Sequence, residues 1–371
     1  MRSFPKISLD NIPANSRVAV AMSGGVDSSV AASLLSLSGY EVIGITLQLY
    51  DQGEVAKTRK ACCAGQDIYD AKMVAEKIGF AHYVLDYESV FKEQVIDNFV
   101  DSYLRGETPI PCVQCNQKVK FLDLFKAAKD LGCAGLATGH YIRRIVKPTH
   151  VELHKAIDIT KDQSYFLFST TPEQLDFIHF PLGGYDKNYT RQLAEQLELN
   201  IAQKPDSQDI CFVPGGDYRE VVRKLSPHSA NPGDIVHING QKLGQHNGIV
   251  NFTIGQRKGL GVSYHEPLYV VKLHPENNTV VVGSKEHLKT KFIYVNDVNW
   301  LLEKKNFIAP YKGEVKIRST QTSIPATIQM IDDKQALVEI LTDEYGVSKG
   351  QACVFYDGTH VLGGGWIVDA S

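Results

Sequence analysis

The sequence predicts an α/β protein in which a helix-covered parallel sheet is followed by a small central domain and a C-terminal β-barrel. Three observations predict it. Apolar runs alternate with amphipathic stretches over about the first 200 residues. A glycine turn follows the first apolar run, Val18–Met22. Beyond about Pro205, short alternating runs recur with Gly and Asn turns, as in small β-barrels.

The elements of the α/β region follow one another as strand, helix, strand. We expect strands at 18–22, 41–47, 82–85 and 134–140, a helix that starts at Asp27 and ends near Leu37, and helices at 70–78, 89–104 and 118–131. In the later region we expect strands at 234–238, 268–273, 279–283, 315–318, 336–340 and 352–355, with a hairpin turn at Asn239-Gly240. The expected domains are 1–213, 214–286 and 287–371.

Composition indicates a globular chain without a membrane span. Of 371 residues, 43% are apolar and 22% charged. No apolar run approaches the roughly 20 residues that cross a bilayer, and the start lacks the apolar core of a signal peptide, so we expect a cytoplasmic location. Seven cysteines, an odd number, are then mostly reduced thiols. A net charge of −3 argues weakly against nucleic acid but allows a local basic patch.

The glycine turn, Ser23–Ser29, is suited to a phosphate group. Its glycines let the backbone approach an anion, and the following helix directs free N–H groups and its positive dipole end toward that anion. Asp27 could cap the helix or hold a cation. An ordinary strand–helix turn with capping residues is the plain alternative.

Two common phosphate motifs are excluded by the residues present. The turn has no lysine for a P-loop, and Gly24-Gly25 lack the spacing of a dinucleotide fingerprint. Ligands of parallel sheets bind beyond the carboxyl ends of the strands. Ser23 and Gly139-His140 both follow predicted strands, which independently supports a site at this edge.

Three cysteines are candidates for chemistry. Cys112 and Cys115 are expected in a proline-stiffened loop between helices, and Cys211 in a polar segment, where thiolates are favoured. The pair could belong to a zinc site completed by Cys62-Cys63, to a redox motif, or, with Cys211, to sulfur transfer or iron–sulfur ligation. Only the third interpretation uses all three residues. For Cys62-Cys63 alone we expect no more than small packing residues.

Six segments together resemble a known family. Ser23–Ser28 resembles the PP-loop of the N-type ATP pyrophosphatases (adenine nucleotide α-hydrolase-like). With 115–121, 137–141, 161–167, 206–212 and 252–261, in that order, the chain closely resembles the bacterial tRNA-specific 2-thiouridylases (MnmA/TrmU family). The resemblance implies an ATP-dependent enzyme that replaces O2 of the wobble uridine of tRNA with sulfur, forming AMP and pyrophosphate.

The resemblance also assigns residues. It implies that Cys211 carries a persulfide and that Cys115 releases the sulfur, with a transient disulfide between them. It implies ATP binding, with Mg²⁺ near Asp27, by Ala21, Met22, Ser23, Gly24, Gly25, Val26, Asp27, Ser28, Leu47 and Gly139. It implies contacts to tRNA, with the target base extruded from its stack, by Ile110, Pro111, Cys112, His140, Lys161, Asp162, Gln163, Arg318, Ser319 and Gln351. A separate protein carrying a persulfide would supply the sulfur.

One position departs from the family pattern. Many members carry an aspartate, a plausible general base, where this chain has Cys112. The change leaves Cys112, Cys115 and Cys211 able to hold a [4Fe-4S] cluster, an alternative to the persulfide. Another PP-loop adenylating synthetase, or a zinc-stapled RNA-binding protein with a degenerate nucleotide fold, are the competing functions.

Overall fold

The computed structural model describes residues 4–50, 64–206, 210–302, 307 and 309–371. Cys62 and Cys63 therefore lie outside the described residues. The chain divides into two compact units. The first comprises Met1–Val95, Cys112–Gly216 and Thr359–Val361, and the second Ile96–Pro111, Asp217–Gly358 and Leu362–Ser371.

The strands run in chain order as β1 Arg17–Ala21, β2 Glu41–Gln48, β3 Ala81–Asp86, β4 Gly135–Thr138, β5 Ile142–Val146, β6 Val151–Lys155, β7 Ile178–His179, β8 Pro232–His237, β9 Lys242–Asn247, β10 Tyr269–His274, β11 Thr279–Gly283, β12 Lys289–Trp300, β13 Tyr311–Lys316, β14 Ile324–Met330, β15 Ala336–Tyr345, β16 Ala352–Asp357 and β17 His360–Ala370.

The α-helices are α1 Val26–Leu37, α2 Ala64–Ile78, α3 Glu88–Phe91, α4 Asn98–Leu104, α5 Pro111–Cys115, α6 Phe121–Asp130, α7 Pro172–Phe177, α8 Lys187–Gln196 and α9 Tyr218–Leu225. Lys92–Asp97 and Asn116–Lys120 are π-helical. Short 3₁₀ turns occur at Ser164–Phe166, Pro214–Gly216, Pro227–Ala230, Ile249–Asn251, Pro275–Asn277 and Lys285–Leu288. None of the helices in the described ranges is long and apolar enough to cross a membrane.

The first unit is built on a five-stranded parallel sheet in the order β3-β2-β1-β4-β7. Val18, Ala19 and Val20 of the central strand β1 are fully buried, as a strand covered on both faces requires. The α/β parallel sheet predicted from the alternating pattern is confirmed. Local capping sets helix starts in the same unit: Thr171 and Gln174 form a reciprocal capping box around Pro172.

The prediction of a loop around Cys112 and Cys115 is wrong. Both residues lie on α5, which continues through the π-helical segment into α6. Pro111 is the first helical residue, a position where the missing N–H costs nothing and the fixed φ favours the helix. The proline therefore begins a helix instead of stiffening a loop.

The second unit is β-rich. One sheet has the order β10-β11-β8-β9, and Gly240, with a φ of 91°, closes the predicted turn by donating its N–H to His237 O at 2.8 Å. The strands β12-β15-β14-β13-β16-β17 form a barrel that closes where β17 pairs with β12. The predicted C-terminal barrel is confirmed, and its core includes the buried Phe355 and Val338.

Candidate active site

The glycine turn after β1 is a tight loop at the start of α1. Ser23 donates its N–H to Ser28 Oγ at 3.1 Å, and the two hydroxyl oxygens lie 3.2 Å apart. Gly24 has a φ of 71°, and a Cβ there would overlap the backbone of Asp67, so both its conformation and its surroundings require glycine. Gly25 precedes α1 without a side-chain cap. The first-turn N–H groups are thus left for an anion.

The loop lies at the switch point of the sheet, since β1 has β2 on one side and β4 on the other. Gly139, directly after β4, packs against the start of α1: a Cβ on it would lie 2.5 Å from Ser28 N and 2.8 Å from Asp27 C. Leu47 lies near the carboxyl end of β2. The residues predicted to bind ATP, Ala21–Ser28, Leu47 and Gly139, therefore share one edge of the sheet.

Lys204 binds the backbone of the glycine turn and two nearby carboxylates. Lys204 Nζ donates to Gly24 O at 3.0 Å and to carboxylate oxygens of Asp67 and Asp70, each at 2.6 Å. Burial opposes its charged form, but the two carboxylates prevail and raise the pKa of Lys204. The contact fixes the carbonyl of the residue whose conformation shapes the phosphate cradle.

Asp27 is held by a buried lysine. Lys187 Nζ lies 2.7 Å from both carboxylate oxygens of Asp27, and Tyr141 donates its hydroxyl to Asp27 Oδ1 at 3.0 Å. The Lys187 side chain is only 8% exposed. In this conformation the Asp27 carboxylate anchors the start of α1 to α8, which begins at Lys187.

Asp206 connects the same lysine to further cations. Its carboxylate lies 2.9 Å from Lys187 Nζ, 2.8 Å from Lys161 Nζ and 2.7 Å from an Arg191 guanidinium nitrogen. Burial works against the charged form, yet the hydrogen bonds from Lys161 and Lys187 lower the pKa of Asp206 to about 2. The segment that leads toward Cys211 is thus tied to the nucleotide loop through charged groups.

The three candidate cysteines are free thiols in the first unit. Cys112 and Cys211 are exposed, while Cys115 is buried on the same helix as Cys112. Phe212, next to Cys211, packs edge-on against Phe91 with ring centroids 5.8 Å apart. Their sulfur atoms do not form a group with all members within 4.8 Å, the spacing of a single-ion site.

Lys120 acts on all three thiols. Surrounding protein raises the pKa of each cysteine, that of Cys211 to about 12, and the Lys120 cation partly offsets this rise. Burial opposes the charge on Lys120 itself, and ionised thiolates at the three cysteines raise the pKa of the amine. The expectation that polar surroundings favour thiolates is therefore wrong for this conformation, in which the thiols are protonated and Lys120 is the group that favours ionisation.

His140 adjoins the nucleotide loop and lies within the electrostatic reach of Lys120. It follows Gly139, its Nδ1 lies 2.9 Å from Thr138 Oγ1, and its ring meets Phe121 edge-on at 6.0 Å. Burial, with the Lys120 charge, lowers the pKa of His140 to about 3, so the imidazole is neutral near pH 7. A neutral imidazole can accept or donate a hydrogen bond to a bound base.

Comparison with known proteins decides the family. The model of the tRNA methyl transferase HUP domain matches residues 16–215, the tRNA methyl transferase PRC-barrel domain 220–284, and the Aminomethyltransferase beta-barrel domain 290–367. The tRNA-specific 2-thiouridylase MnmA of Rickettsia canadensis (strain McKiel) is 58% identical over 350 residues, which cover 94% of this chain and 95% of that protein. MnmA of Rickettsia bellii (strain OSU 85-389) is 58% identical over 352 residues, covering 95% and 96%.

This chain belongs to the tRNA-specific 2-thiouridylase family. The resemblance inferred from its motifs is confirmed. A solved 4-thiouridine synthetase–RNA complex with bound ATP is 16% identical, covers 57% of this chain and 51% of that one, and has a TM-score of 0.34. A score this low supports no inference about this chain.

Within this thiouridylase-family chain, three residues predicted to contact tRNA are engaged inside the first unit. Lys161 pairs with Asp206. Asp162 accepts hydrogen bonds from Ala156 N at 3.0 Å and from the Ser164 hydroxyl at 2.6 Å. Gln163 Oε1 accepts from the N–H of Tyr141 at 2.8 Å. Through these contacts the three side chains hold the loop beside the nucleotide site in place.

Three other predicted tRNA residues line one cavity in the second unit. Arg318, Ser319 and Gln351 border a space of about 470 Å³. Arg318 is fixed by Glu344 Oε1 at 3.0 Å and by the Tyr345 and Gly346 carbonyls, and Gln351 donates to Thr108 O at 2.8 Å. Ile110 and Pro111 are buried where α5 begins.

The cations that organise the site are not among the residues that the sequence motifs predict. Lys187, Lys204 and Lys120 belong to no motif of the nucleotide loop, and two of them are more than 150 positions from the residue they hold. Only the polar run Lys204-Pro205-Asp206 carried a weak signal, because buried polar segments need partners.

Proposed function

We propose that this thiouridylase-family enzyme uses ATP to replace O2 of the wobble uridine of tRNA with sulfur. The observation that supports it most is its 58% identity, over 94% of the chain, to a protein named tRNA-specific 2-thiouridylase. The geometry agrees with it. Gly139 contacts the start of α1, His140 follows, and Lys120 acts on both His140 and the three thiols.

In the first step, uridine O2 attacks the α-phosphorus of ATP and the bond to the β-phosphate breaks. Pyrophosphate leaves in the Ser23–Ser28 loop, where the N–H groups at the start of α1 stabilise its charge. We assign Mg²⁺ to the region of Asp27, where it neutralises phosphate charge when bound. Asp27 would exchange its contact with Lys187 for the ion.

In the second step, sulfur replaces the activated oxygen. The terminal sulfur of a Cys211 persulfide attacks C2, and the C2–O bond breaks as AMP leaves. Cys115 then attacks Cys211 Sγ, the S–S bond breaks, and its electron pair stays on the sulfur that is now part of thiouridine. The resulting Cys115–Cys211 disulfide accepts two electrons from a thiol reductant before the next cycle.

Cys112 supports a different route to the same product. With Cys115 and Cys211 it offers three thiolate ligands for a [4Fe-4S] cluster, and the Lys120 charge would balance an anionic cluster. We favour the persulfide route. Anaerobically purified enzyme that is colourless, iron-free and active supports it, whereas iron in proportion to activity supports the cluster.

We assign tRNA binding to two groups of residues. Ile110, Pro111, Cys112 and His140 face the target base, and Lys161–Gln163 with the Arg318, Ser319 and Gln351 cavity contact other nucleotides.

A protein bearing a persulfide supplies the sulfur. We also retain the three domains 1–213, 214–286 and 287–371 and a cytoplasmic location as parts of the proposal.

The deciding experiment is nucleoside mass spectrometry of tRNA incubated with enzyme, ATP and a sulfur donor. We expect 2-thiouridine with the parent enzyme and none with Cys115→Ala or Cys211→Ala. Cys133→Ala is the matched control, since Cys133 is buried away from these thiols.

A second readout separates folding from chemistry. Both inactive variants should still consume ATP in the presence of tRNA, releasing pyrophosphate, because the nucleotide loop is intact. Full thiolation by either variant would contradict the proposed sulfur transfer.

A further inference from the structure

Three side chains of metal-binding type converge in the first unit, outside the nucleotide loop and the cysteine cluster. Glu152 and His154 lie on β6, and His360 begins β17 and pairs with His154 in register. One possible ligand atom from each residue lies within 4.8 Å of the other two. In the described part of the chain, no other set of His, Cys, Asp or Glu side chains meets this criterion.

The contacts between these residues already suit a coordination sphere. His154 Nε2 lies 2.8 Å from Glu152 Oε2, and His154 Nδ1 lies 3.0 Å from Thr359 Oγ1. A hydrogen bond on the second ring nitrogen is what orients a metal-binding imidazole and fixes its tautomer. His150 Nε2, 3.3 Å from Glu152 Oε1, orients the carboxylate in a similar way.

The two imidazoles are arranged side by side. The rings of His154 and His360 stack with centroids 4.9 Å apart and 16° between their planes. The side chains of Glu152 and His154 are only 14% and 13% exposed, so an ion between them would be partly shielded from water.

We propose that Glu152, His154 and His360 bind a divalent transition-metal ion, with zinc as the first candidate. Two imidazoles and one carboxylate form a nitrogen and oxygen ligand set that suits Zn²⁺ better than Mg²⁺ or Ca²⁺. Neighbouring ligands of a tetrahedral zinc lie about 3.3 Å apart, given bonds of about 2.0–2.1 Å. On metal binding, the distance between Glu152 Oε2 and His154 Nε2 therefore increases by about 0.5 Å from its 2.8 Å. A side-chain rotation brings a ring nitrogen of His360 within bonding distance of the ion.

Binding has a defined proton balance and a defined competitor. When the metal takes His154 Nε2, the proton of the neutral ring moves to Nδ1, which then donates to Thr359 Oγ1, so the imidazole keeps its proton. Lys147 Nζ, 3.4 Å from Glu152 Oε2 and 41% exposed, is displaced into water. A water molecule completes the fourth position.

The ion would stabilise a pairing between distant parts of the sequence. His154 and Thr359, the neighbour of His360, are 205 positions apart. A cross-link between distant residues closes a long loop, and the longer the loop, the more the cross-link lowers the entropy of the unfolded chain. We therefore expect zinc to raise the melting temperature by tying the start of β17 to β6.

The test is zinc content after equilibration with excess Zn²⁺ and removal of loosely bound metal by gel filtration. We compare the full-length parent with His154→Gln, His360→Gln and His274→Gln. His274 is the matched control, because it also pairs with a glutamate two positions away, Glu276, at 2.8 Å, but in the described part of the chain no further ligand completes a metal-binding group there. We expect His154→Gln and His360→Gln to retain one equivalent less than the parent and His274→Gln.

Two further measurements distinguish this site from thiol sites and from misfolding. With Co²⁺ in place of zinc, the absorption lost in His360→Gln should lack thiolate-to-metal charge transfer. In EDTA the variants should have the same melting temperature as the parent. Added zinc should raise the melting temperature of the parent and of His274→Gln, but not that of His154→Gln or His360→Gln. Equal zinc content and equal melting shifts in all four proteins, or no retained zinc in the parent, would overturn the proposal.

Discussion

The contact between Gly139 and the start of α1 makes a specific prediction about nucleotide binding. We expect Gly139→Ala to weaken ATP binding without removing any polar group from the site. The added methyl would lie 2.5 Å from Ser28 N and 2.8 Å from Asp27 C, both backbone atoms that cannot rotate away. The strain is relieved only if the end of β4 or the start of α1 moves.

The size of the effect follows from that distance. Ordinary contact begins at 3.4 Å, so the methyl is about 0.9 Å too close. Overpacking of this kind costs about 1–3 kcal/mol. If displacement of the loop absorbs it, ATP affinity falls by roughly 5- to 150-fold, since each 1.4 kcal/mol is a factor of ten. If the strain instead remains in the folded protein, it lowers the free energy of unfolding. The melting temperature then falls by about 2–4 °C per kcal/mol in a unit of this size.

The assay is isothermal titration with a non-hydrolysable ATP analogue, together with thermal unfolding. Gly184→Ala is the control, because among the described residues, its chain neighbours aside, no atom lies within 4 Å of a Cβ at Gly184, and its backbone needs no positive φ. An ATP affinity within twofold of the parent, with an unchanged melting temperature in Gly139→Ala, would refute the proposed role of this contact.

Three further predictions concern charge and thiol reactivity. Lys187→Met should destabilise the protein by up to about 3–5 kcal/mol in urea unfolding, because two carboxylates lose a cation that is 8% exposed. Asp206 has its folded pKa depressed to about 2, so its contribution is complete above the unfolded pKa, about 3.9, and lost as pH falls toward 2. Asp206→Asn should therefore flatten the stability profile between these values in urea unfolding at graded pH. Under native conditions N-ethylmaleimide should label the exposed Cys112 and Cys211 before the buried Cys353, as peptide mass spectrometry would show. Labelling of both should be faster at higher pH, because desolvation by neighbouring protein atoms raises the pKa of these two thiols.

Much of the fold could be predicted because its strands carry strong local patterns. The continuous apolar run of β1 and the alternating pattern of β8 are visible in the sequence itself. The long strands β12, β14 and β17 were missed. β12 and β17 mix polar and apolar residues irregularly, and β12 carries register shifts that interrupt the alternation. β14 alternates regularly but contains Pro325, a residue that is rare inside strands.

The site was predictable only where a motif is contiguous. Ser23–Ser28 carries its own geometry, since glycines and a helix start suffice to define an anion site. Lys187 and Lys204 are selected by carboxylates more than 100 positions away, and no local pattern marks such partners. The sequence around Cys112 predicts a loop because proline is common in loops, but proline is also favoured at the first helical position, where Pro111 lies.

The π-helical segment Asn116–Lys120 has a consequence for how this chemistry could be lost or gained. In an α-helix, a residue five positions after Cys115 lies about 140° around the axis from it. The wider turn, with hydrogen bonds five residues apart, reduces this angle, and the Lys120 charge lowers the pKa of the Cys115 thiol. Deleting one residue here would keep every functional group in the chain and rotate the amine away from the sulfurs. The spacing of a single backbone residue is therefore as much a part of the active site as the side chains that surround it.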